Sequence, residues 1–102
     1  MKEFVLLMYD DASDTAIASD GNRWGEYFSR LRSSGLFDGG STIGPGMRAR
    51  KGYPDAAAPA ELDGFIRLRA ENLAAAREFL AGNPTYEGGG TVDIRELPVD
   101  GA

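Results

Sequence analysis

The chain has 102 residues, a formal net charge of −5, and neither cysteine nor histidine. That length suggests one domain. The missing residue types exclude disulfides, thiolate catalysis, Cys-ligated metals and a Ser-His-Asp triad. Acid–base work falls to Asp, Glu, Tyr, Lys or the termini, and no metal or cofactor is expected. The acidic balance argues against a nucleic-acid partner, which needs Lys and Arg to neutralise phosphates.

The longest apolar run, Phe4–Tyr9, is far short of the roughly 20 residues of a spanning helix. No small-residue cleavage site follows it, so no signal peptide and no membrane partner are expected, and the cytoplasm is the default location. A chain of this size buries only about 60–70% of its unfolded surface. A partner subunit would enlarge that core.

In chain order, "KEFVLLMY" reads as the first strand, with Phe4, Leu6 and Met8 on one face and Val5, Leu7 and Tyr9 on the other. Both faces are apolar, so both should be covered. "DDASDTAIA" reads as a polar connector. Ser19 or Asp20 then caps a helix whose stripe is Trp24, Tyr27, Phe28 and Leu31. Glu26 and Arg30 are spaced for an exposed ion pair, and Gly35 sits where a left-handed residue ends the helix.

"LFDGGSTI" is a short second strand, "GPG" a turn, and "MRARK" a continuation of the strand. "GYPDAAAPAELD" is the one candidate lid. "GFIRLRA" is the third strand, with Ile66, Leu68 and Ala70 on one face and Phe65, Arg67 and Arg69 on the other. Asn72 caps a second helix carried by Leu73, Ala76, Phe79 and Leu80, which Gly82 and Pro84 stop. "PTYEGGG" turns back into the fourth strand, "TVDIREL", and "PVDGA" is a tail.

The order β-α-β-β-α-β predicts an α+β, ferredoxin-like domain over residues 1–102. Two helices cover one face of a four-stranded antiparallel sheet, with strands one and three at its centre. The opposite face gathers Phe65, Arg67, Arg69, Asp93 and Arg95 beside the apolar side chains of strand one. That mixture predicts a homodimer with its sheets face to face and a pocket between them. A face that is simply wet would show the same alternation.

The run from Trp24 to Gly35, "WxxYFxxLxxxG", leads into "LFDGG". The second half matches a glycine- and apolar-spaced pattern at Asp63-Gly64-Phe65, Ala70, Ala76, Pro84, Gly88 or Gly89, Val92, Ile94 and Arg95. Together these resemble the YCII-related family and its DGPF branch, over nearly the whole chain. The resemblance implies a dimeric α/β barrel with a cleft near the dimer interface. It also implies a small acid–base enzyme using a His–Asp pair, whose His falls at the start of the first helix. Trp24 stands at that position here, and "AAAPAELDG" stands where the DGPF motif would end. The pair is therefore not carried over.

Asp38, before Gly39-Gly40, is the candidate catalytic carboxylate; it either faces a cleft or bonds its own turn amides. Tyr9 and Tyr27 are candidate phenol donors, and Trp24 a surface on which a flat ligand could stack. All three also fit apolar stripes of the core. Arg67, Arg69 and Arg95 are candidate ligands for an anion, with Asp93 or a partner chain as competing ion-pair partners. The functional expectation is a small dimeric protein that binds a small, anionic organic molecule, as enzyme or degenerate enzyme. A non-catalytic regulatory module is the alternative. An RRM-like RNA-binding domain ranks last, because "LDGFIRLRA" lacks the later aromatic of that motif. "SSGLFDGGSTIGPG" is glycine-rich, but it closes a helix and opens a strand, the reverse of a phosphate-binding loop.

Overall fold

Strict alternation of burial sets the layering in the computed structural model, which describes residues 1–98. In β1 (Lys2–Tyr9), Phe4, Leu6 and Met8 are buried while Val5, Leu7 and Tyr9 are half-buried. In β5 (Leu62–Ala70), Gly64, Ile66, Leu68 and Ala70 are buried between more exposed residues. With β2 (Phe37–Thr42) and β6 (Val92–Leu97), these strands form one sheet in the order β2-β5-β1-β6, every pair antiparallel. Strands one and three of the βαββαβ core are central, as an α+β ferredoxin-like domain requires.

The helical layer covers the inner face alone. Helix α2 (Gly21–Ser34) starts where the Asp20 carboxylate accepts hydrogen bonds from the backbone of Asn22 and Arg23. Asp20, not Ser19, is thus its cap. It ends at Gly35, whose φ of 73° only glycine adopts without strain. Tyr27 and Leu31 are buried, and Trp24 and Phe28 pack beside them half-buried. Burying side chains of that size contributes about 1.5–3 kcal/mol each. Arg30 does not reach for Glu26; its guanidinium donates to the Ala81 carbonyl at 3.0 Å.

Elsewhere the structure departs from the sequence reading. The connector holds one helical turn, α1 (Thr15–Ala18), capped by Asp14. The second helix is broken. Helix α3 (Leu73–Arg77), capped by Asn72, passes into a 3-10 turn at Glu78–Leu80. Pro84 does not merely stop it but opens another turn, α4 (Pro84–Glu87), capped by Asn83; proline is pre-organised for a first helical position. Ala76 and Leu80 are buried, but Leu73 is 57% exposed and carries no core. "MRARK" does not extend β2. Met47–Arg48 (β3) pairs instead with Ala56–Ala57 (β4) as a separate two-stranded arm, which takes in part of the candidate lid. The end of the C-terminal tail lies outside the described residues.

Candidate functional site

The sequence-selected residues fall in three different places. On the outer face of the sheet most of them are held in polar pairs. Asp38 accepts from Arg69 Nε at 3.0 and 3.3 Å, and Arg69 also donates to the Gly35 carbonyl at 2.7 Å. The Asp38 carboxylate therefore bonds neither its own turn nor a free cleft. Arg67 pairs with Glu3 at 3.2 Å. Tyr9 donates its hydroxyl to Asp93 at 2.8 Å, so Asp93 serves a phenol and not an arginine. That bond to a carboxylate, with partial desolvation, raises the Tyr9 pKa above the ordinary tyrosine value. Arg95 is exposed opposite Val5, and no ion pair reaches it among the described residues.

Tyr27 belongs to the core. It is 2% exposed, and its hydroxyl donates to the Phe79 carbonyl at 2.7 Å. Burial pushes its pKa up. It touches a small hollow of about 170 Å³ shared with Arg30 and Glu78.

Trp24 lies elsewhere, at a larger hollow on the helical side. This space of about 380 Å³ sits between α2 and the β2–β5 edge of the sheet, within the range of about 300–1,000 Å³ usual for small-molecule sites. Trp24 and Phe28 make one wall, stacked at 5.6 Å with planes 26° apart. Met8 and Thr85 line it as well. Opposite the aromatic wall, β2 and β5 contribute Gly40, Ser41, Thr42, Asp63, Gly64 and Phe65, and the two glycines leave backbone open there.

Those two glycines have a packing reason. A Cβ on Gly40 would collide with the Phe65 carbonyl oxygen, at the bulge where β2 shifts register between Phe37 and Gly40. One on Gly64 would come within 3.1 Å of the Ser41 carbonyl and 3.3 Å of Met8 Cε. The backbones of β2 and β5 thus approach closely at these glycines, beside a hollow on the inner face.

Sequence reasoning selected Trp24 and missed the rest of this hollow. A signal was present: Gly64 leaves a gap in the inner-face row of Ile66, Leu68 and Ala70. Among the described residues, no group of three or more Asp and Glu is placed to hold a metal ion, and no helix is long and apolar enough to cross a membrane.

No family model matches the chain, and no curated protein matches it. Among solved structures, it is similar to 5-chloro-2-hydroxyhydroquinone dehydrochlorinase from Burkholderia phenoliruptrix AC1100, determined in complex with 2,5-dihydroxybenzoquinone. The two share 14% identity with a TM-score of 0.55, over 94% of this chain and 93% of that one. At that identity, the likeness shows that the two proteins share a fold.

Proposed function

We propose that this chain is a small-molecule-binding protein of the YCII-related family, and that its ligand enters the hollow between α2 and the β2–β5 edge. One observation carries the reading: an aromatic wall faces glycine backbone across a cavity of ligand size. A solved protein of the same fold with a flat ring bound supports it. Binding, not acid–base catalysis, is the activity proposed. The chain has no histidine, and the candidate base Asp38 is held by Arg69 away from the hollow.

The homodimer belongs to the same proposal. Val5 and Leu7 stay partly exposed, on a sheet face that carries no helical layer among the described residues. A second sheet would cover them and further desolvate the Glu3–Arg67 and Asp38–Arg69 pairs.

The test is a ¹H–¹⁵N NMR titration of the whole chain with phenol, hydroquinone and indole. Saturable shifts should centre on the Trp24 indole N–H and the amides of Gly40, Thr42 and Gly64. Trp24→Leu, which removes the aromatic wall but keeps an apolar side chain, should abolish the shifts at the three glycine and threonine amides while circular dichroism stays native. The proposal fails if none of the three rings gives a saturable shift at these positions.

A further inference from the structure

The hollow is charged in one sense only. Among the described residues, Asp63 is the single ionisable one that lines it, and no lysine or arginine does. Arg32, one turn beyond Phe28, lies 5.9 Å from that ring and outside the lining. Arg67 and Arg69 are on the other side of the sheet, each engaged with a carboxylate. The chain as a whole carries a net charge of −5, so its long-range field also repels anions.

The aromatic wall adds a second restriction. The Trp24 Nε1–H is already donated to the Ala18 carbonyl at 2.8 Å. The indole therefore offers a ligand its π face and no hydrogen-bond donor. That face is electron-rich, attracting cations and the positive edges of rings. An anion in the hollow would give up its hydration and find neither a cation nor an indole N–H.

Resting on the reading of the hollow as a binding site, we infer that it selects flat rings that are uncharged or cationic and rejects the same rings bearing a carboxylate. Asp63 sets the sign of that preference. This reverses the anionic ligand expected from the arginines of the sequence, because those arginines face the other way.

Benzamide, benzamidine and benzoate share one ring and nearly one shape but differ in charge. Each is titrated into the whole chain near neutral pH, with fluorescence read from Trp24, the sole tryptophan. Benzamide and benzamidine should give saturable changes, with benzoate weaker by about tenfold or more. In Asp63→Asn, the gap between benzamidine and benzoate should shrink about threefold or more. Benzoate binding as tightly as benzamide overturns the inference but leaves the site standing, and an unchanged gap in Asp63→Asn overturns the role of Asp63. If none of the three binds while phenol, hydroquinone or indole does, the charge rule falls alone. If no ring of either set binds, the site falls with it.

Discussion

Asp11 and Thr91 lie 80 positions apart and are joined by two short hydrogen bonds, from the Thr91 amide at 2.7 Å and its hydroxyl at 2.6 Å. Both bonds favour the charged carboxylate, so the Asp11 pKa falls below its ordinary value. The unfolded chain then binds the proton more tightly than the folded one. This contribution is complete above about pH 4, the unfolded value, and is lost as pH falls through the lower folded value. Thermal melts between pH 7 and 2 should show Asp11→Asn less stable than the parent at neutral pH, with the difference closing in acid. A constant difference across that range contradicts the assignment. Tyr9 works in the opposite direction. Its raised pKa makes its bond to Asp93 a contribution present below about pH 10 and lost as pH rises through the folded value. Tyr9→Phe should therefore differ from the parent near neutrality and converge with it in strong alkali. Neither partner was legible in sequence, since both bonds cross between distant segments. Asp38 shows the same limit: its glycine neighbours suggested an open cleft, whereas Arg69, 31 positions on, decides where it points.

At the scale of elements, local signals were most reliable where a single residue has a backbone reason. Asp20, Gly35 and Asn72 do at their helix ends what their side chains or lack of one require. Asp20→Ala should cost about 1 kcal/mol in urea unfolding. Gly35→Ala should cost about 1–2 kcal/mol, from placing a Cβ in a left-handed conformation. Equal stability of either variant and the parent contradicts the cap. Gly40→Ala probes the close approach of β2 to β5 and should destabilise by about 1–3 kcal/mol, as overpacking does. Gly44→Ala is its control, because a Cβ there meets nothing within 4 Å. If the two melt alike, the backbone contact at Phe65 is not as described. Elements shorter than two turns escaped the sequence reading, because four residues carry too little apolar periodicity to stand out. Helix α1 is such a case, and in α4 the pair Asn83-Pro84 is both a stop and a start. The β3–β4 arm was missed for a related reason: its strands are two residues each.

Over the described residues, the molecule is a sheet with one face closed by helices and one without them. The central place of strands one and three and the faces of β1 and β5 were legible, because a period of two over eight or nine residues leaves little freedom of register. What covers the open face was not, since it depends on a second molecule. If two sheets meet there, Leu7→Glu should convert the dimer to a monomer in size-exclusion chromatography with light scattering, with native circular dichroism. A parent chain that elutes as a monomer at micromolar concentration removes the dimer. The sequence placed the ligand on this open face because the arginines are there. Arg67 and Arg69 are paired, Arg95 is exposed, and the cavity lies on the other side, against Trp24. A crystal of the parent chain soaked with benzamide tests this placement most directly. The ring should lie against Trp24, above Gly40 and Gly64, with the hollow otherwise unchanged. Ring density on the outer face, among Arg67, Arg69 and Arg95, with the hollow holding none, would contradict the account.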